Sequence, residues 1–128
     1  MQVNRLDHLV LTVRDIETTL AFYTRVLGMQ KVVFGESRVA LVFGQQKINL
    51  HPRGGEFEPK AANVAAGSAD LCFIIEQPVA SAISHLESLN IPVLEGPVSR
   101  TGATGNILSV YFRDPDGNLI EVSNYTGA

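Results

Sequence analysis

The alternation of polar and apolar residues in this chain runs one course twice: strand, helix, then three strands. In the first half, Asp7-His8-Leu9-Val10-Leu11-Thr12-Val13 alternates as a strand. Asp15 then caps a helix whose apolar residues Ile16, Leu20, Tyr23 and Leu27 recur at helical spacing, and Gly28 ends it. Strands follow near residues 30–35, 38–43 and 46–51. The second half opens with the strand Asp70 to Ile75. A helix starting at Pro78 carries Val79, Ile83, Leu86 and Leu89 on one face, and Asn90 suits its end. The spacing predicts a short edge strand over Ile91–Leu94, since proline is confined to edges and strand starts, and a glycine-rich loop over Gly96–Asn106. Strands over Ile107–Arg113 and Leu119–Asn124 close the half. An internal repeat of this kind restricts the chain to an α+β fold of two similar modules, about residues 4–51 and 69–125. Residues 52–68 form a polar, breaker-rich linker within one domain.

The last two strands are joined by Phe112-Arg113-Asp114-Pro115-Asp116-Gly117-Asn118. Pro115 presets the second turn position, and Asp-Gly-Asn tolerates the bends that follow. The strand that leaves this turn, Leu119-Ile120-Glu121-Val122, carries one carboxylate between apolar neighbours. Such a carboxylate must be paired, exposed or bound to something.

Aligning the halves gives Glu121 company. His8 and Asp70 take equivalent positions in the first strands, and Asn49 and Glu121 in the last strands. The direct neighbours of all four are mostly apolar and face the helices, so the four polar side chains share the opposite side of their sheets. An imidazole and two carboxylates converging in a concavity form a divalent metal site with positions left open for water or substrate. Asp70 has a second reading, as a strand-start residue hydrogen-bonded to Ser68 or a backbone amide. His51 follows Asn49 by two residues, on the same face and about 7 Å away. It is a base, a substrate contact, an alternative ligand, or a surface residue before Pro52.

Bulk properties exclude several classes of function. The 128 residues are one domain's worth of chain, 45% hydrophobic and 18% charged, as expected of a globular protein. A net charge of −3 gives no support for nucleic acid or an anionic membrane as partner. One cysteine rules out an internal disulfide framework. No apolar run approaches the ~18 residues of a membrane span, and Arg5 and Asp7 interrupt anything like a signal peptide, so a cytoplasmic location is expected. There is no nucleophile elbow for Ser-His-Asp chemistry. The Gly96–Gly105 segment lacks the Gly-Lys-Ser/Thr of a phosphate-binding loop.

Leu6–Leu11, Asp15-Ile16, Phe22-Tyr23, Val26-Leu27-Gly28-Met29 and Phe112–Glu121 together resemble the vicinal oxygen chelate superfamily, which holds glyoxalases, bleomycin-resistance proteins and extradiol dioxygenases. Residues Lys47–His51 and Gly96–Gly102 are similar to its lactoylglutathione-lyase-like, glyoxalase-domain and virulence-associated members. The resemblance implies paired βαβββ modules that form an open barrel-like cleft around a metal, and a homodimer acting on a small molecule. It implies a divalent ion (Mn, Fe, Ni, Zn or Mg) held by His8, Asp70 and Glu121, with Glu121 and His51 as catalytic groups. The ion would act as a Lewis acid on a substrate chelated through adjacent oxygens.

Two positions depart from the family's pattern. Asp70 stands where the family has a second histidine, which favours Mn²⁺ or Mg²⁺ over Zn²⁺. Asn49 stands where glyoxalases have a glutamate ligand, and an amide cannot accept a proton near neutral pH. The implied activity is a metal-dependent lyase or isomerase of glyoxalase type. The alternatives are a metal-free, ligand-sequestering protein, or the dioxygenase or thiol-transferase branch. Asn49, Arg100, Thr101 and Tyr111 are candidate substrate contacts, with Arg100 and Thr101 on a lid or a flexible hairpin. Cys72 reads as a small buried hydrophobe, and Phe57 and Lys60 as solvated loop or a reach toward a dimer partner.

Overall fold

The computed structural model describes residues 1–127 and divides into two compact units, Met1–Gly67 and a second beginning at Ser68. The first unit contains β1 (His8–Val13), α1 (Ile16–Leu27), β2 (Gln30–Phe34), β3 (Arg38–Phe43) and β4 (Gln46–Pro52). The second contains β5 (Asp70–Ile74), α2 (Val79–Ser88), β6 (Glu95–Thr101), β7 (Asn106–Arg113) and β8 (Leu119–Tyr125). Each unit has one open four-stranded mixed sheet, in the orders β1-β4-β3-β2 and β5-β8-β7-β6. The expected repeat is therefore present strand for strand. In each unit the first strand pairs in parallel with the last, which requires a crossover, and the helix supplies it.

Local chemistry sets both helices. The Asp15 carboxylate accepts the Thr18 amide at 2.9 Å, and Gly28 closes α1 at φ +67°. α2 begins after Pro78, which has no capping side chain, so Asn124 of β8 does that work: its Oδ1 accepts the Val79 amide at 2.9 Å. At the other end Asn90 takes φ +58°, and the amides of Asn90 and Ile91 bond back to Glu87 and Leu86. One face of each sheet packs on its helix side. Leu11, Val13, Leu41, Ile48 and Leu50 are buried with Leu20 and Tyr23 in the first unit. Val110, Phe112, Ile120 and Val122 are buried with Val79 and Leu86 in the second. No described helix is long and apolar enough to cross a membrane.

The turn before β8 is held by one carboxylate. Asp114 Oδ1 accepts the amides of Asp116 and Asn118 at 2.9 Å each, and its Oδ2 accepts Asn118 Nδ2 at 2.7 Å. Asn118 Oδ1 in turn accepts the Ala69 amide at 2.9 Å, and the Leu119 amide reaches Ala69 O. The turn thus also fixes where β5 starts beside β8.

The edge of the second sheet corrects the sequence reading. The strand is Glu95–Thr101, not Ile91–Leu94, and the loop after it shortens to residues 102–105. Pro97 is tolerated because the pairing with β7 shifts register between Glu95 and Val98. Gly96 allows that shift: at φ +122° a Cβ would lie 2.5 Å from Ser109 O. Arg100 and Thr101 consequently sit on a strand rather than on a flexible lid. Phe57 differs from the solvated-loop expectation, whereas Lys60 is exposed on the loop as expected. Phe57 packs against His51 and Arg38 of its own unit, and Lys60 lies 3.5 Å from Glu58.

Asp114→Ala deletes three hydrogen bonds to a carboxylate that is 5% exposed. The expected loss of stability is about 2–4 kcal/mol by urea unfolding, with Asp114→Asn losing less. A loss below about 0.5 kcal/mol would show that the turn does not depend on this carboxylate.

Candidate functional site

The second unit carries a cleft of about 400 Å³ on the sheet face away from α2. Strand register builds it. Cys72 pairs with Glu121 across β5 and β8, and Tyr111 pairs with Glu121 across β7 and β8. Arg100 pairs with Ile107 at the β6 edge. All five residues line the cleft, as does Thr101, while Asp70 stands on the same face two residues before Cys72.

Glu121 is held from below. Ser109 Oγ donates to its Oε2 at 2.6 Å, and Ser123 Oγ lies 2.6 Å from Ser109 Oγ and 3.4 Å from Oε2. Both serines are fully buried. Both serine contacts are to Oε2, and Tyr111 and Cys72 face the same carboxylate. The two serines were missed in the sequence reading. Their signal was available: two hydroxyl residues on the inward face of neighbouring strands, Ser123 two residues after Glu121.

The cleft wall is polar and pre-arranged. Arg100 Nε donates to Tyr111 Oη at 3.0 Å, and Arg100 Nη2 pairs with Glu95 at 3.1 Å. Burial pushes the Tyr111 hydroxyl up, a shift that the Arg100 hydrogen bond partly offsets, so the phenol stays protonated. Cys72 is exposed rather than buried, and partial desolvation raises its thiol above the usual range, with Glu121 adding to the shift. It is therefore no thiolate nucleophile at neutral pH.

The first unit contributes the other expected residues. His8 begins β1 with a side chain 44% exposed, and its Nδ1 lies 2.7 Å from Asp7 Oδ2. A carboxylate on Nδ1 leaves Nε2 as the nitrogen for a further partner, a pairing also found in metal-ligating histidines. Asp7 was not singled out in the sequence, although its adjacency to His8 was the signal. Asn49 and His51 lie on the same face of β4 and are 7% and 4% exposed. No group among the described residues hydrogen-bonds Asn49 Oδ1 or His51 Nε2. Leaving a buried polar atom unpaired costs about 1–3 kcal/mol, so these two atoms are conspicuous. Burial lowers the His51 pKa, the Arg38 charge lowers it further, and Glu56 partly opposes them. The imidazole is neutral at pH 7.

The structure brings Glu121, Arg100, Thr101 and Tyr111 to one cleft and Asp70 to the same sheet face, and it places His8, Asn49 and His51 on the first unit's sheet. No group of three candidate metal ligands is found among the described residues.

Known proteins share this fold and much of this sequence. The model of the Glyoxalase/Bleomycin resistance protein/Dioxygenase superfamily matches residues 5–122. Virulence protein STM3117 of Salmonella typhimurium is 58% identical, over 98% of this chain and 87% of its own length. The glyoxalase domain-containing protein RDO1 of Mycosarcoma maydis is also 58% identical, over 100% of this chain and 72% of its own. Among solved structures, the integron cassette protein VCH_CASS1 from the mobile metagenome of V. cholerae is 62% identical, with a TM-score of 0.96 and 98% of each chain covered. More distant relatives include a human mitochondrial methylmalonyl-CoA epimerase, 31% identical over 94% of this chain and 73% of its own, and the metallothiol transferase FosB of Shouchella clausii, 28% identical over 97% and 82%.

The depressed His51 pKa has a consequence for stability. The unfolded chain binds a proton at His51 near pH 6.5 and the folded chain only at lower pH, so stability is full above about 6.5 and falls as the pH drops through and below that value. His51→Leu is expected to flatten the dependence of unfolding free energy on pH between 7 and 5. An unchanged slope in this variant would show that His51 is not protonation-resistant in the fold.

Proposed function

The chain belongs to the Glyoxalase/Bleomycin resistance protein/Dioxygenase superfamily, and from that premise we propose that it is a metal-dependent lyase or isomerase of glyoxalase type. Its substrate is a small molecule that chelates the metal through adjacent oxygens. The observation that carries the reading is the clamped Glu121, with Oε2 held by Ser109 and its side chain lining a cleft that Arg100 and Tyr111 also line.

We assign His8, Asp70 and Glu121 as the metal ligands. One imidazole nitrogen and two carboxylates suit a divalent ion, and the oxygen-rich set favours Mn²⁺ or Mg²⁺. His8 is already oriented by Asp7, and Glu121 by Ser109. When bound, the ion supplies Lewis-acid polarisation of the substrate oxygens. The residues of this chain do the rest. Arg100, Thr101 and Tyr111 orient the substrate, with Arg100 fixed on Tyr111 and Glu95 before any ligand arrives. Glu121 and the neutral His51 are the groups able to take up a proton, since Asn49 cannot. The protein acts as a homodimer in this reading, because the strand residues Val10, Val32 and Ile74 are 45%, 39% and 55% exposed.

A second reading, metal-free sequestration of a ligand, is favoured by Asn49, which occupies a position where glyoxalases carry a glutamate. Thiol transfer, the chemistry in the name of FosB, is the further alternative.

Adding Mn²⁺ to metal-stripped protein is expected to raise the unfolding midpoint by about 5–10 °C at saturating ion. His8→Ala and Glu121→Gln should abolish that shift and any Mn²⁺-dependent turnover. No shift with any of the five candidate metals, together with unchanged ligand affinity in His8→Ala, would replace this reading with sequestration.

A further inference from the structure

The first unit holds a second cluster that the metal assignment leaves unused. β3 places Arg38 one step beyond the Val39–Leu50 pair, opposite His51, and β2 places Phe34 in register with Arg38. The Arg38 guanidinium lies 4.5 Å from the Phe57 ring centre and 5.4 Å from that of Phe34. Lys47 Nζ lies 4.0 Å from the Phe34 ring centre. Arg38 makes no ion pair with a carboxylate among the described residues, whereas Lys47 interacts with the exposed Asp7 carboxylate. The nearby carboxylate, Glu56, is already engaged by the Gly54 amide at 3.0 Å and by Lys60 at 4.0 Å. Asn49 pairs with Ala40 between these two cations, and His51 packs edge-on against Phe57 at 5.1 Å.

This arrangement has two unmet demands. The Arg38 guanidinium rests on two aromatic rings without a paired carboxylate, with the Lys47 ammonium beside it, and a guanidinium is preorganised for a planar oxyanion. Beside them, Asn49 Oδ1 and His51 Nε2 are buried and have no partner among the described residues. The amide oxygen can only accept a hydrogen bond, and His51, neutral in the fold, can accept one at Nε2 in its Nδ1–H tautomer. An anion without an O–H, such as chloride or sulfate, satisfies the cations and leaves both acceptors empty. A bare alcohol does the reverse.

We propose that the β2-β3-β4 face of the first unit is a binding site for a small hydroxy-carboxylate, its carboxylate held by Arg38 and Lys47 and its hydroxyl donating to Asn49 Oδ1 or His51 Nε2. Phe34 and Phe57 form its apolar walls. This deepens the functional reading, on which it rests for taking this face as the ligand side, by naming the substrate class. It also gives Asn49 a role that a glutamate could not fill, because a carboxylate there would repel the anion.

The test is a titration of isotope-labelled, EDTA-treated protein with glycolate, followed by NMR. Because the protein is metal-free, failure of the metal assignment leaves the outcome unaffected. Glycolate is expected to give saturable shifts of the His51 ring nitrogens and the Asn49 side-chain amide, and to bind at least threefold tighter than acetate. Arg38→Ala should weaken binding at least tenfold and Arg38→Lys by less, with Lys47→Ala as the independent variant should Arg38→Ala not fold. Absence of saturable shifts at Asn49 and His51 would overturn the proposal. So would equal binding of acetate and glycolate, or wild-type affinity in the folded Arg38 and Lys47 variants.

Discussion

The carboxylate of Asp114 holds the turn on which the register of the second sheet depends. By gathering the amides of Asp116 and Asn118 and the side chain of Asn118, it fixes the length of the β7-β8 turn. Asn118 passes the constraint to β5 through the Ala69 amide. Three strands are thereby set in register at once, and the register decides which face Glu121 occupies. A slip of one residue would turn Glu121 toward α2 and bring Ile120 or Val122 into the cleft. The serine clamp, the Tyr111 and Arg100 wall and the neighbouring thiol all follow from that alignment.

The same plan serves both units, but the two sheets have diverged in charge. The second presents carboxylates, Asp70 and Glu121, with one cation already neutralised by Glu95. The first presents Arg38, Lys47 and His51 around two phenylalanines. In each, a polar side chain is held or buried without its full complement of partners. Such groups cost stability and persist where a ligand completes them.

Much of this was legible in the chain. The repeat was visible because hydrophobic periodicity switches between 2 and 3.6 at the same points in both halves, and Asp15, Gly28 and Asn90 marked helix ends by local chemistry. Glu121 stood out because an acid inside an apolar strand needs a partner. The β6 edge was misread because proline argues against a strand, whereas a Gly96-Pro97 bulge lets the strand continue beyond it. Ser109 and Ser123 escaped notice because a hydroxyl on a strand carries no signal until register places it under a carboxylate. Phe57 was hidden for a related reason. Its loop has the composition of a solvated linker, and only the folded path lays the ring on His51 and Arg38.

In the proposed assignment this chain holds a divalent ion through one imidazole and two carboxylates. That assignment is tested most directly by pulsed electron paramagnetic resonance of the Mn²⁺-loaded protein carrying ¹⁵N-labelled histidine. The account predicts coupling of the ion to a single imidazole nitrogen, lost in His8→Ala and retained in His51→Leu. Coupling that survives His8→Ala, or no nitrogen coupling in a protein that binds the ion, would contradict it.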